Sequence, residues 1–256
     1  MKRIFLTIML MLAAGHALAV GRLADISVYD RNEGRTLPVY WHEGKAYVIG
    51  RPGNEYQVMV RNQAGDDVLA VVSVDGVNVV SGETASAGQG GYVVDSWQGL
   101  DIKGWRKSLS RTAAFYFTEL PDSYAARTGR PDNVGVIGVA LFRRRVEEPP
   151  IAYGEPKSSR ESARDRADTT HGSANAQAAP RAEEKGLGTG HGRGETSHAR
   201  YVGFERATSG PEEVISLYYD SYANLVARGV IRAERRRNRE PSAFPASFVP
   251  DPPRRW

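Results

Sequence analysis

Apolar residues recur along the first 146 positions in short alternating runs separated by turn formers. Such a period of two is the signature of half-buried strands. Asp25–Asp30 carries Ile26 and Val28 on one side. Leu37–Trp41 and Ala46–Ile49 flank His42-Glu43-Gly44-Lys45, which reads as a hairpin loop. In Glu55–Arg61, Tyr56, Val58 and Val60 share one face, and Glu55, Gln57, Met59 and Arg61 share the other. Val68–Val74 is nearly all apolar, as expected of a central strand covered on both sides. Asp75-Gly76 then separates it from Val77–Val80, a strong two-residue hairpin signal, because both turn positions need positive φ. Gly91–Val94, Gly99–Ile102, Ala113–Thr118 and Val134–Phe142 complete the set. Gly135 and Gly138 in the last run mark bulges or a close backbone approach. One helical turn, Ser123–Thr128, is expected between Asp122 as its cap and Gly129.

Residues 22–146 therefore predict a mainly β domain, an antiparallel β-sandwich, with a partly closed barrel as the other closure. The pattern stops at Glu147-Glu148-Pro149-Pro150. Ser158–Pro180 contains no Val, Ile, Leu, Phe, Tyr or Trp, too little apolar surface to offset its ordering entropy. Residues 147–200 are expected to be a flexible, largely disordered linker, including the alternating Gly186, Gly188, Gly190, Gly192 and Gly194. Those glycines lack the spacing of a dinucleotide fingerprint.

Residues 201–256 predict a helix over about 210–228 and an extended Pro/Arg-rich tail. Ser209-Gly210-Pro211-Glu212 reads as a capping box. Val214, Ile215, Tyr218, Tyr222, Leu225 and Val226 fall at helical spacing, and Gly229 stands at the close. Its apolar face must dock, on the β domain or on a partner.

The amino terminus adds a destination. Met1-Lys2-Arg3, the apolar run Ile4–Ala14 and Ala17-Leu18-Ala19 form the three parts of a secretory signal with cleavage after Ala19. The apolar run is too short for a membrane span, so none is expected after cleavage. A periplasmic or secreted bacterial protein follows.

Charge changes this picture little. Residues 20–146 hold 15 basic and 14 acidic side chains, residues 147–200 hold 8 and 9, and residues 201–256 hold 9 and 7. The net charge of +4 is spread thinly, so no nucleic-acid partner is expected. The chain has no cysteine, which excludes disulfide scaffolds, thiolate metal sites and thiol catalysis.

Candidate chemistry is sparse. Phosphate-loop, nucleophile-elbow and zinc-protease motifs are missing. No cofactor or metal is expected, and an enzyme is the less favoured reading. His171, His191 and His198 fall in the expected linker. His42, beside Glu43, is the histidine that a hydrolase would have to use. Binding through sandwich end loops is favoured over catalysis. The candidates are Tyr124, Arg127, Arg130, Asp132 and Asn133, with the Ser81–Gly90 loop as an adaptable neighbour. A competing arrangement pairs Arg127 with Asp132 to hold the loop. Trp41, Trp97 and Trp105 form either core or a sugar-stacking platform. Arg143-Arg144-Arg145 reads as a solvated edge or a contact with an anionic envelope surface. An envelope protein or a glycan is the expected partner.

Three stretches, Ser73–Glu83, Gly104-Trp105-Arg106 and Asn133–Ala140, resemble an uncharacterised family of exported bacterial proteins. The resemblance spans most of residues 54–142. It implies an exported β domain and no activity.

Overall fold

The computed structural model describes residues 20–146 and 186–232. Ala19, His171 and the Pro/Arg-rich tail lie outside the described residues. In chain order the strands are β1 (Ala24–Asp30), β2 (Arg35–Thr36), β3 (Tyr40–His42), β4 (Lys45–Ile49), β5 (Glu55–Asn62), β6 (Val68–Val74) and β7 (Val77–Asn78). Then come β8 (Tyr92–Val94), β9 (Gly99–Ile102), β10 (Gly104–Arg106), β11 (Arg111–Glu119), helix α1 (Tyr124–Arg127), β12 (Val136–Arg143), β13 (Leu187–Thr196), β14 (Glu213–Asp220) and helix α2 (Tyr222–Ala227).

Among the described residues the strands form two seven-stranded sheets and no closed barrel, so the sandwich expectation holds. One sheet runs β10-β11-β5-β1-β2, with β13 also on β11 and β9 also on β5. The other runs β3-β4-β14-β12-β6-β7, with β8 also on β6. Every pairing is antiparallel except β4 with β14.

Alternation sets the faces. β1 turns Ala24, Ile26, Val28 and Asp30 inward, against Val58 and Val60 of β5 in register. The second sheet contributes Val48, Val72, Val74, Val139 and Leu217 to the same core. Tyr56 stacks on Phe117 at 4.3 Å and on Phe115 at 5.4 Å within it. β6 is covered on both sides, as its apolar run predicts: Leu69 and Val71 join Ala140 and Phe142 in a smaller outer cluster beneath Ala87, Val93 and Phe204. The predicted Asp75-Gly76 turn is present, and the hairpin loop expected over His42–Lys45 tightens to two residues. Glu43-Gly44 has φ of 48° and 74°, and Asp75-Gly76 has φ of 52° and 72°.

Three expectations are corrected. Leu187–Thr196 is a ten-residue strand along β11, not linker. Its odd positions bury Leu187 and Thr189, and its glycines lie where a side chain does not fit. A Cβ on Gly190 would sit 2.2 Å from the Tyr116 ring. Glu213–Asp220 is a strand, not the first half of a helix. Its apolar residues satisfy both periods, since Ile215, Leu217 and Tyr219 also alternate. The vacant ladder between β4 and β12 decides for the strand. The helix that remains, α2, is capped by the Ser221 hydroxyl accepting from Asn224 N, and Gly229 follows it at φ 73°. In α1 the cap is Ser123, accepting from Ala126 N, rather than Asp122. Among the described residues no helix is long and apolar enough to cross a membrane.

Candidate functional site

The predicted loop residues divide into two groups. Tyr124 and Arg127 of α1, with Thr128 and His191, line a shallow hollow of about 330 Å³. Arg130 is instead committed to structure. Its guanidinium donates to Gly82 O at 3.0 Å and to the Thr128 hydroxyl at 2.9 Å. Asn133 lies under the Asp75-Gly76 turn, where a Cβ on Gly76 would meet it at 2.8 Å. Asp132 is exposed and forms no pair with Arg127. The Ser81–Gly90 loop is stapled from within: Asn78 Nδ2 donates to Gln89 Oε1 and Gly90 O, each at 3.1 Å.

The tryptophans also divide. Trp105 is 4% exposed, donates its indole N–H to Gly190 O at 3.1 Å and packs edge-on to Phe115. It is unavailable to a sugar, so the three-tryptophan platform does not form. Trp41 and Trp97 are 50% and 62% exposed, and Trp97 holds a positive φ of 59°. His42 has Glu43 at 3.8 Å, on the same turn and exposed to solvent. An acid this exposed does not orient an imidazole for catalysis.

In sequence Asp75 reads as a turn residue only. It is fully buried and joins distant segments. Its Oδ1 accepts from Gly135 N at 2.9 Å and from the Tyr219 hydroxyl at 2.5 Å, and its Oδ2 accepts from Thr189 N at 2.7 Å. Thr189 Oγ1 lies 2.6 Å from both the Tyr219 and Tyr56 hydroxyls. With Asp75 ionised, the protons order as Tyr56 to Thr189 to Tyr219 to Asp75, each hydroxyl donating once. Burial raises the Asp75 carboxyl from 3.8 to about 6, against the lowering pull of its donors, Tyr219 first. Burial, with Asp75 nearby, pushes both tyrosines well above 10. These side chains have no more than 2% exposure, so the network locks the two sheets and offers nothing to a ligand.

The accessible candidate is a groove of about 740 Å³ beside β6, β8 and β9, lined also by the crossing segment 197–206. That segment is held at both ends. Arg106 donates to Ser197 O at 2.6 Å, and Ala199 N donates to Leu109 O at 2.7 Å. At the far end Arg144 donates to Gly203 O at 3.1 Å and to Asp67 at 3.1 Å, and its guanidinium lies 4.7 Å from the Phe204 ring centre. Between the anchors Tyr201 is 90% exposed. The groove mixes apolar walls (Leu69, Tyr92, Phe204) with Asp95, Asp101 and Arg200. Trp97 stands on the turn that also carries Asp95.

Arg143, Arg144 and Arg145 are not a bare solvated edge. They pair with Glu212, Asp67 and Glu205 respectively, tying β12 to its surroundings. Gly104-Trp105-Arg106, which in sequence carries only the family resemblance, lies beside this groove. A Cβ on Gly104 would fall 1.9 Å from Ala113 O, Trp105 fills the core, and Arg106 reaches the crossing segment. Comparison with protein-family models, curated proteins and solved structures finds no match to this chain.

Proposed function

We propose that this is an exported, non-enzymatic binding protein of the bacterial cell envelope, and that the groove beside segment 197–206 holds its ligand. One observation carries the reading: apolar walls, carboxylates and guanidinium groups converge on a groove of about 740 Å³. The segment along it is fastened at both ends, so the cleft is formed before a ligand arrives. A narrower reading, a glycan ligand, draws support from Trp97, an exposed tryptophan on the turn that carries Asp95 of the groove.

The test is a photo-crosslinking amino acid placed at Tyr201 of the 20–256 chain, with Val214, exposed on β14, as the control position. Incubation with isolated envelopes is expected to give a discrete adduct at 201 and none at 214. Equal labelling at both positions, or none at either, ends the groove reading. Digestion of the adduct by glycosidases or by proteases separates a glycan from a protein ligand. Cell fractionation with amino-terminal sequencing tests export separately: Val20 is expected as the first residue of an envelope or medium fraction.

A further inference from the structure

Several cations on the described surface are paired: Arg31, Arg143, Arg144, Arg145 and Arg193 lie between 2.7 and 3.6 Å from carboxylates. One face gathers cations with no carboxylate among them. A hollow of about 390 Å³ is lined by Lys107, Ser108, Arg111, Thr112, Ala113, His191 and Gly194, and the hollow of Tyr124, Arg127 and Thr128 adjoins it through His191. No carboxylate lines either. Lys107, Arg111 and Arg127 have no ion-pair partner among the described residues.

We propose that this face binds a phosphoryl group. Lys107 and Arg111 approach it from one side and Arg127 from the other, with His191 between them. Guanidinium forks match phosphate oxygens, and three unpaired cations favour a dianion over a single carboxylate. Tyr124, its ring 5.8 Å from His191, supplies an aromatic wall for the group that carries the phosphate. The site is distinct from the groove and does not depend on it.

His191 reports occupancy. Burial, Lys107 and Arg127 hold its imidazole below the ordinary histidine range. A dianion among these cations reverses that, so the NMR titration midpoint of His191 (assigned with His191→Gln) is expected to rise when inorganic phosphate is added. Lys107→Ser with Arg111→Ser, both exposed, is expected to weaken binding at least tenfold with an unchanged melting temperature. A His191 response reproduced by sodium chloride at equal ionic strength, or one unaltered in the double variant, overturns the proposal. Glucose 6-phosphate binding without vesicles identifies a soluble phosphate ester. Sedimentation with phosphatidylglycerol but not phosphatidylcholine vesicles identifies a lipid headgroup.

The start of the described fold carries a second, independent signal. Val20 is 6% exposed in the main core, and its carbonyl accepts from Ile26 N at 3.0 Å. Gly21 turns there at φ 126°, where a Cβ would lie 2.1 Å from Ala24 O. The Asp25 carboxylate faces the Val20 N–H, yet its Oδ1 is buried with no hydrogen-bond partner. We infer that the α-ammonium created at Val20 by cleavage after Ala19 is the missing partner of Asp25. This rests on the export reading. The chain with a free Val20 amine is expected to melt roughly 2–4 °C above its amino-terminally acetylated form, and Asp25→Asn is expected to abolish the difference. Equal melting of the free and acetylated wild-type forms overturns the pairing, whatever fractionation says about export.

Discussion

Asp75 shows how one residue serves two constraints. Its φ of 52° suits the turn after β6, and its carboxylate gathers donors from three other segments. A carboxyl raised in the fold above its unfolded value favours the protonated folded state. Its stabilising effect is therefore full below about 3.8 and is lost as pH rises to about 6. That loss amounts to about 3 kcal/mol. Asp75→Asn is expected to flatten this slope in urea unfolding measured from pH 4 to 7. It also turns an amide donor toward the Thr189 or Gly135 N–H, at a cost of about 1–3 kcal/mol. A variant that keeps the slope would place the titration elsewhere. The turn role was legible from the Asp-Gly pair. The network was not, because Thr189 and Tyr219 lie 114 and 144 positions away.

At the scale of elements, glycine spacing in β13 looked like the composition of a linker. In the fold it is a fit between two strands: Tyr116 covers Gly190 across the ladder. Gly190→Ala is expected to displace that ring and cost about 1–3 kcal/mol, read as a lower urea midpoint with unchanged m. An unchanged midpoint would mean that β13 leaves β11 in solution. β14 teaches the converse. Its apolar residues permit helix or strand, and local propensity is a weak guide when a ladder partner waits on each side. Leu217→Ala, at a fully buried position between β4 and β12, is expected to cost about 2–5 kcal/mol by the same measurement. A helical, peripheral segment would barely feel it. The crossing segment 197–206 is expected to loosen in Arg106→Ala, with faster amide hydrogen exchange at Ser197 and Ala199, since that guanidinium binds Ser197 O and Oγ.

For the whole molecule the consequence is that residues 186–232 are not an appendage. β13 completes the sheet of β11, β14 fills the gap between β4 and β12, and Thr189 and Tyr219 close the Asp75 network. Residues 20–146 alone would leave Asp75 without its Thr189 and Tyr219 donors, the Tyr56 hydroxyl without Thr189, and one edge each of β4, β11 and β12 unpaired. That fragment is expected to give a poorly dispersed amide NMR spectrum, and adding a peptide of residues 186–232 is expected to restore dispersion. A well-folded fragment would contradict the interwoven core. The local pattern of the chain marked most strands between residues 24 and 143, though not β2 or β10, together with the Asp75-Gly76 turn, the hairpin around His42–Lys45 and the sandwich class. Each rests on a local period of two and on turn residues with positive φ, and both act between neighbours in the chain. It also singled out Tyr124 and Arg127, because long loops between strands collect exposed polar side chains. Only the tertiary structure decided that a glycine-rich stretch is a strand, that an apparent helix is another, that Trp105 is core while Trp97 is free, and that Asp75 is a buried keystone. These depend on which distant backbone offers an unfilled ladder and which cavity needs a donor or a ring, and those are properties of the assembled sheets.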